Sequence, residues 1–203
     1  MADRGTILRE GDLDFAFDAT WSVARHSDTE PVRLALRDQV PESRGVDLVG
    51  VGDSARALFL IEVKDYRTSE GRGSTRRKLA DDGRSLAEVV AAKVRDTVAG
   101  LIGAARSDRD PDWTITRRAL DERVWVVLWI EHAGVERTTS VRARRRRIDA
   151  GVLEQSIGRR CRWLNARALV CSRDGLCLPG LTVKSIPGAA RTPGRRTSPA
   201  DAT

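Results

Sequence analysis

The sequence lacks the features that mark membrane, secreted and zinc-binding proteins. No apolar stretch approaches the length that spans a bilayer, and residues 1–10 hold no apolar signal-peptide core, so the sequence predicts a cytoplasmic protein without membrane contact. The three cysteines, Cys161, Cys171 and Cys177, are odd in number, lack CxxC spacing and have no histidine nearby. This pattern predicts core or near-surface thiols rather than a disulfide framework or a zinc site.

Internal repeats and the aromatic-rich, glycine-rich or groove-reading helix motifs of nucleic-acid readers are also missing, so sequence-specific recognition is not predicted. The chain of 203 residues is long enough for one domain, which we predict over residues 1–186. Residues 187–203 are rich in proline, glycine and arginine with little to bury, which predicts a disordered basic tail. The formal net charge of +7 favours polyanionic partners, although an arginine-rich composition can also reflect codon bias and solubility.

The apolar pattern predicts an α/β (α+β) domain with a mixed central sheet flanked by helices. Apolar residues recur at helical spacing from Phe17 to Ala24, which predicts a first helix over residues 13–24. Residues 32–36 alternate like a half-buried strand, and two β-rich runs, 46–51 and 57–64, flank a short turn and predict a hairpin. We further predict a loop over 66–84, a helix over 85–105, a central strand over 124–130, a basic loop over 137–147, a helix over 149–164, and short strands over 168–171 and 181–186.

The hairpin register places charged residues at its open end. If the turn is 53–56, residues pair so that their numbers sum to 109 (52 with 57, 49 with 60), which sets Asp47 opposite Glu62. Side chains alternate along a strand, so Lys64 shares the face of Glu62. The opposite face is apolar and consists of Val46, Leu48, Phe59, Ile61 and Val63.

Two opposed carboxylates on an apolar sheet face repel each other and lose hydration, so they require a positive charge between them. A divalent cation held by Asp47, Glu62, the carbonyl of Val63 and water would supply it, and all-oxygen ligands favour Mg²⁺ or Mn²⁺. Lys64 would then orient and help deprotonate a water or stabilise charge on a phosphate. The alternative is that Asp47 and Lys64 are solvated strand ends and that Glu62 pairs with Lys64 or an arginine.

These residues resemble the signature of a known nuclease family. The segment Val46-Asp47, fourteen further residues and then Glu62-Val63-Lys64-Asp65-Tyr66-Arg67 is similar to the D…ExK motif of the PD-(D/E)XK superfamily, the fold of many restriction endonucleases and junction resolvases. The core order of that family, αβββαβ, matches the elements predicted for residues 13–131, about two thirds of the chain. Val46 stands where the family often has proline, a difference that does not touch the chemistry.

The resemblance implies a restriction endonuclease-like fold in which Asp47 and Glu62 bind metal and Lys64 is the catalytic lysine. Lys93, at the border of the apolar stripe of its helix, stands where relatives often place a further polar active-site residue, although a solvated helix lysine fits equally well. Asp14 or Asp18 could add an acidic ligand, as happens in some members. The lone histidines His26 and His132 are more typical of structural roles.

Clusters of basic residues predict phosphate contacts, with solvated surface as the alternative. One cluster, Arg76, Arg77 and Lys78, follows the lysine motif, and Arg159, Arg160 and Arg162 lie on the second helix. The basic loop adds Arg137, Arg142, Arg144, Arg145, Arg146 and Arg147.

The function predicted from the sequence is that of a Mg²⁺-dependent or Mn²⁺-dependent DNA endonuclease. Stand-alone domains of the resembling family often serve restriction, anti-phage defence, repair or transposition, and the sequence does not choose among these pathways. The alternatives are a catalytically inactive nucleic-acid-binding subunit of a larger nuclease or defence complex, and a purely structural partner. DNA versus RNA, and a homodimer versus a larger complex, are left open.

Overall fold

The computed structural model describes residues 5–25, 43–52, 56–67, 85–106, 123–132, 140–175 and 178–186, without the side chains of 104, 105, 132 and 140–148. Within these ranges the fold is mixed α+β, with two helices and two sheets. The strands are β1 (Thr6–Glu10), β2 (Leu13–Phe17), β3 (Trp21–Arg25), β4 (Leu48–Gly52), β5 (Ala57–Tyr66), β6 (Arg123–His132), β7 (Arg167–Cys171) and β8 (Leu181–Ser185). The helices are α1 (Leu86–Arg106) and α2 (Ser140–Arg160), and a short 3-10 turn over Arg162–Leu164 follows α2.

The larger sheet has five strands in the order β3-β4-β5-β6-β7, antiparallel from β3 to β5 and parallel from β5 to β7. The hairpin predicted over residues 46–64 is confirmed: Gly52 pairs with Ala57 and Leu48 with Ile61, the register expected from the sequence. The smaller sheet has the order β1-β2-β8 and is antiparallel throughout.

The two faces of the larger sheet carry two separate cores. On one face, Val49, Leu58 and Leu60 of the hairpin pack with the apolar stripe of α1 and with Ile157 of α2. This contact explains the stripe, since Val90 and Val94 of α1 are fully buried. On the other face, Leu48, Phe59 and Ile61 pack with the buried residues of β2. The larger sheet therefore lies between a helical layer and the smaller sheet.

A local sequence motif sets the start of α1. Ser85 and Glu88 form a capping box: the Glu88 N–H donates to Ser85 Oγ at 3.3 Å, and the Ser85 N–H donates to Glu88 Oε2 at 2.6 Å. Glu88 also accepts a hydrogen bond from Arg160, which joins the start of α1 to the end of α2. The helix predicted over 85–105 is confirmed.

The first helix predicted over residues 13–24 is wrong, because this segment forms β2 and β3. Leu13, Phe15 and Phe17 are buried at alternate positions, which is the period of a strand. The turn after Phe17, in which Asp18 Oδ1 accepts a hydrogen bond from the Thr20 N–H at 2.9 Å, ends β2. The helical spacing of Phe17 and Trp21 arises because this turn separates two strands.

A turn of two residues joins β1 to β2 and was also missed. Gly11 adopts a positive φ of 57°, and Glu10 pairs with Leu13 across Gly11 and Asp12. Two central residues that include a glycine in this conformation are typical of a tight β-hairpin. The strand predicted over residues 32–36 and most of the loop predicted over 66–84 lie outside the described residues, although Tyr66 itself ends β5.

The basic loop predicted over residues 137–147 is wrong from Ser140 onward, where α2 begins. Arginine is a good helix former, and the run contains no glycine or proline to interrupt the helix before Gly151. Ile157 of the predicted apolar side is buried as expected, whereas Val152 is 58% exposed. The strands predicted at 124–130, 168–171 and 181–186 are confirmed as β6, β7 and β8.

The prediction of free thiols is wrong at Cys171, which is disulfide-bonded. Cys161 is a free, buried thiol, as expected, and burial raises its pKa to about 11. Cys177, His26 and the predicted tail over 187–203 lie outside the described residues. Neither helix of the described part is long and apolar enough to cross a membrane.

Candidate functional site

Asp47 lies at the open end of the hairpin, one residue before β4. Its N–H donates to the carbonyl of Ile61 at 3.1 Å, and its Oδ2 accepts a hydrogen bond from the Val63 N–H at 2.7 Å. Its carboxylate is therefore held against β5 by Val63, the residue that follows Glu62. The side chain is 21% exposed, so one carboxylate of the pair faces the surface.

Glu62 is a carboxylate buried within the face of the sheet that packs against α1. Its side chain has no exposed surface, and both of its oxygens accept hydrogen bonds from Lys93 Nζ, at 2.7 and 2.8 Å. Lys64 Nζ also contacts Glu62 Oε1. Burial raises the pKa of Glu62, the charge of Asp47 raises it further, and the two lysines oppose this rise.

Lys93 brings an ammonium group from α1 into the space between the two carboxylates. Besides its bonds to Glu62, its Nζ lies 3.5 Å from Asp47 Oδ1. The positive charge that the sequence argument required between Asp47 and Glu62 is thus supplied in this structure by a side chain of the protein. The alternative expectation, that Glu62 pairs with Lys64, is met at the same time.

Thr97 connects α1 to the chain segment that carries Asp47. Its Oγ1 donates to the carbonyl of Lys93 at 2.8 Å and accepts from the buried Val46 N–H at 2.9 Å. One helical turn therefore positions both Lys93 and the residue before Asp47. Val46 belongs to the core beside α1, which corrects its predicted place on the opposite face of the hairpin.

Glu10, at the end of β1, is a third acidic residue near these groups. Burial raises the pKa of Glu10, and the charges of Asp47 and Glu62 raise it further, against the opposing charges of Arg25 and Lys93. Glu10 was not among the predicted site residues, because a helix was predicted for the segment that follows it and β1 was not predicted. The turn at Gly11 and Asp12 was the signal that could have revealed β1 and its final residue.

The other predicted acidic candidates lie in structural contacts. Asp14 pairs with Arg9 across β1 and β2 at 2.9 Å, and Asp18 forms the turn before Thr20. The basic cluster at residues 76–78 lies outside the described residues, as does Arg137.

The arginine run at residues 142–147 lies on a described helix, although its side chains are not described. Strands β6 and β7 are parallel, and α2 connects them, so α2 runs from the edge of the sheet where β6 ends to the opposite edge. Lys64 pairs with Ile130 near the end of β6, so α2 starts at the edge that also carries the site. The backbone therefore places the arginine run in the half of α2 nearer to Lys64.

The donor set fits a hard divalent cation held by few protein ligands. Asp47 and Glu62 offer carboxylate oxygens, as Mg²⁺ and Mn²⁺ prefer. No group of three or more His, Cys, Asp or Glu side chains in the described ranges could hold a metal ion, so the remaining ligands would be the Val63 carbonyl and water. A metal at this position must also displace Lys93 from Glu62. The ligand roles of Asp47, Glu62 and Val63 stay predictions, as do the roles of Lys64 and Lys93.

Comparisons with known proteins do not assign the chain to a family. No family model matches the sequence, and no solved structure matches it. The cysteine–tRNA ligase of Neisseria meningitidis is 28% identical over 153 residues, which cover 62% of this chain and 21% of the ligase. The chain therefore spans about a fifth of the length of this curated relative, and the likeness does not establish a family.

Proposed function

We propose that this protein is a metal-dependent nuclease that hydrolyses phosphodiester bonds in DNA. The observation that carries the proposal is the meeting of Asp47, the buried Glu62 and Lys64 at one end of the hairpin. A buried carboxylate beside a second carboxylate is costly, so such a pair is typical of a functional site rather than of a stable core.

A restriction endonuclease-like core is part of the same proposal. An antiparallel hairpin followed by a helix and a parallel strand supports it, since β4, β5, α1 and β6 occur in that order. The strands β1 and β2 replace the helix that begins the resembling family's core, which is a departure from its pattern.

Asp47 and Glu62 would hold the cation, together with the carbonyl of Val63. A bound Mg²⁺ or Mn²⁺ would polarise the phosphate and make water a better nucleophile at neutral pH. Hydrolysis joins a water oxygen to phosphorus, breaks the bond from phosphorus to the leaving sugar oxygen, and returns a proton to that oxygen. Lys64 would stabilise the negative charge that develops on the phosphate, because its ammonium group already lies against Glu62.

A second candidate function is a non-catalytic nucleic-acid-binding module. The observation that favours it is the neutral balance of the site: two ammonium groups, from Lys64 and Lys93, lie against two carboxylates, from Asp47 and Glu62. A cluster that is already balanced needs no metal for its stability. The basic helix α2 would then provide the function by itself.

Cleavage assays with purified protein separate these functions. Supercoiled plasmid, linear duplex DNA, single-stranded DNA and RNA are each incubated with Mg²⁺, Mn²⁺ or EDTA; RNA is included because the curated relative is named for a tRNA substrate. We expect DNA cleavage that requires the metal and falls at least about 100-fold in Glu62→Gln, a rise of ~2.7 kcal/mol in the barrier. Asp174→Asn, which changes an exposed carboxylate in the turn after β7, is the matched control and keeps full activity.

Equal cleavage by Glu62→Gln and the unaltered protein contradicts the proposed active site. Binding of nucleic acid without cleavage under any metal condition favours the second candidate function.

A further inference from the structure

A hydrogen-bonded turn follows helix α2 and exposes a tryptophan. The Leu164 N–H donates to the Cys161 carbonyl and the Asn165 N–H to the Arg162 carbonyl, each at 3.0 Å, and Asn165 takes a positive φ of 50°. Cys161 is fully buried at the start of this turn, whereas Trp163 is 57% exposed. An indole is therefore displayed to solvent from a backbone anchored in the core.

The surface around this tryptophan is basic. Arg159, Arg162 and Arg167 are exposed, and neither Arg159 nor Arg162 forms an ion pair within the described part of the chain. Between Glu154 and Asp174 the sequence contains five arginines and no aspartate or glutamate. A polyanion is the partner that complements this charge.

This surface is distinct from the candidate nuclease site. Helix α2 begins at the edge of the sheet that carries Lys64 and ends at the opposite edge, where β7 starts. The register sets Glu62 beside Leu128 and Leu128 beside Val170, so Arg167 lies three residues, about 10 Å, along the strands from the level of Glu62 and two strands across the sheet. Trp163 precedes β7, whereas Asp47 and Glu62 lie on the β4–β5 hairpin.

We propose that the end of α2 binds single-stranded nucleic acid, with an unpaired base stacked on Trp163 and the flanking phosphates on Arg159 and Arg162. An exposed aromatic ring among arginines is the combination that single strands use, since every unpaired base offers a face for stacking. A base inside a duplex is already stacked on both sides, so stacking on the tryptophan should increase the affinity for single strands alone. The proposal goes beyond the proposed nuclease activity and does not depend on it.

Affinity measurements in EDTA test the proposal, because they exclude cleavage. Fluorescence anisotropy is recorded with labelled oligo(dT), oligo(U) and a duplex of equal length. Trp163→Ala is expected to weaken binding of the single strands about 5- to 100-fold and to leave the duplex within twofold, while Trp163→Phe retains most of the affinity. Arg162→Gln is expected to lower the salt slope for single strands by about 0.7. The DNA and RNA arms show which strand is preferred.

Two control variants isolate the role of the tryptophan ring and of the arginine charge beside it. Val152→Ala removes an equally exposed apolar side chain from α2, the helix before the turn that carries Trp163, and Lys184→Gln removes an exposed charge from β8; both are expected to bind like the unaltered protein. The proposal is overturned if Trp163→Ala binds single strands as tightly as the unaltered protein, or loses duplex and single-strand binding equally. A dimer that dissociates on Trp163→Ala, without any change in oligonucleotide binding, assigns the surface to a second copy of the chain and also overturns it.

Discussion

At the scale of single residues, the buried carboxylate of Glu62 needs a positive partner both in the metal-free site and in a metal-bound site. A fully buried carboxylate loses its hydration, and removing one partner of a buried ion pair leaves an uncompensated charge. Lys93 provides this partner in the present structure through both oxygens of Glu62. If a divalent cation binds the same carboxylate, Lys93 and the cation compete for it.

Lys93→Met should therefore separate metal binding from stability. We expect the metal-free variant to lose about 1.5–3 kcal/mol of stability, because Glu62 loses one of its two ammonium partners and keeps Lys64. We also expect it to bind Mn²⁺ at least about tenfold more tightly, a gain of ~1.4 kcal/mol, because no ammonium group has to leave. Calorimetric titration with Mn²⁺ and thermal melting with and without Mn²⁺ measure both effects.

The matched control for this measurement is Lys184→Met, which changes an exposed lysine far from the carboxylates and should alter neither quantity. Equal Mn²⁺ affinity in Lys93→Met and the unaltered protein would show that the lysine and the metal do not compete. Absence of Mn²⁺ binding in both proteins would instead count against the nuclease proposal itself.

Variants of Lys64 and of Asp47 should lose cleavage activity for different reasons. Lys64→Ala is expected to keep the fold and most DNA binding while removing cleavage, and Lys64→Arg should not rescue it, because a planar guanidinium fits a different geometry. Asp47→Ala should abolish cleavage through lost metal affinity, so high Mn²⁺ restores part of its activity but none in Lys64→Ala. Cleavage rates at increasing Mn²⁺, with a cooperative melt for each variant, measure this difference. A fully active Lys64→Ala protein contradicts the assigned role.

Asp65, the next residue along β5, should give a pH-dependent contribution to stability. Burial raises the pKa of Asp65, but its hydrogen bonds with Arg67, including 2.8 Å from Nε to Oδ1, outweigh this and leave the pKa below its ordinary value of 3.8. The stabilisation is therefore present above pH 3.8 and is lost as the pH falls through the lower pKa of the folded state. Asp65→Asn should lower stability by about 1–2 kcal/mol at pH 7.

Thermal melts from pH 7 to pH 3 test this dependence. The difference in Tm between Asp65→Asn and the unaltered protein should narrow below about pH 4, given the ordinary aspartate pKa. A difference that stays constant over this range would show that the carboxylate charge is not the cause. Asp174→Asn, whose carboxylate is exposed, serves as the control.

At the scale of the elements, the hairpin and α1 could be predicted because their patterns are local. The alternation in β4 and β5, together with the short turn, determined the register, and the apolar stripe of α1 determined its buried face. The β1–β2 hairpin was missed because the spacing from Phe17 to Trp21 fits a helix equally well. The start of α2 was missed because a run of arginines carries no apolar period, although arginine favours the helix.

Thr97 is one of the residues by which α1 holds the segment that precedes β4. Thr97→Val keeps the shape of the side chain but leaves the buried Val46 N–H without its acceptor, which costs about 1–3 kcal/mol. We expect Thr97→Val to melt at a lower temperature and to bind Mn²⁺ more weakly, since Asp47 follows Val46. Thr97→Ser, which keeps the hydroxyl, should bind Mn²⁺ like the unaltered protein; equal losses in both variants would assign the effect to packing.

The arginine run of α2 is expected to bind phosphate. Replacing Arg144, Arg145, Arg146 and Arg147 with glutamine keeps good helix formers and removes the charge. Affinity for duplex DNA should fall about equally for all sequences, and the slope of log affinity against log salt should flatten by about 0.9 for each lost contact. Lys184→Gln is the single-charge control, and an unchanged slope in the arginine variant contradicts the expectation.

At the scale of the whole molecule, the candidate site combines a hairpin, a helix and a strand of the second sheet. Asp47, Glu62 and Lys64 were predictable together because one local register relates them. The contacts of Lys93 with both carboxylates and the approach of Glu10 follow from how the layers pack, which depends on the whole core rather than on a local pattern. Lys93 was therefore only a candidate in the sequence, and Glu10 was missed.

The pairing of β2 with β8 has a consequence for the order of events during synthesis on the ribosome. Phe17 pairs with Leu181, and the Ile186 N–H donates to the Asp12 carbonyl, so early residues require partners that are translated 164 residues later (181 − 17). At about 5–20 residues per second, this interval is roughly 8–33 seconds. During it, Phe15 and Phe17 lack the neighbouring strand that covers their edge. The β1–β2 hairpin therefore keeps an open edge until the last strand of the described fold has been translated.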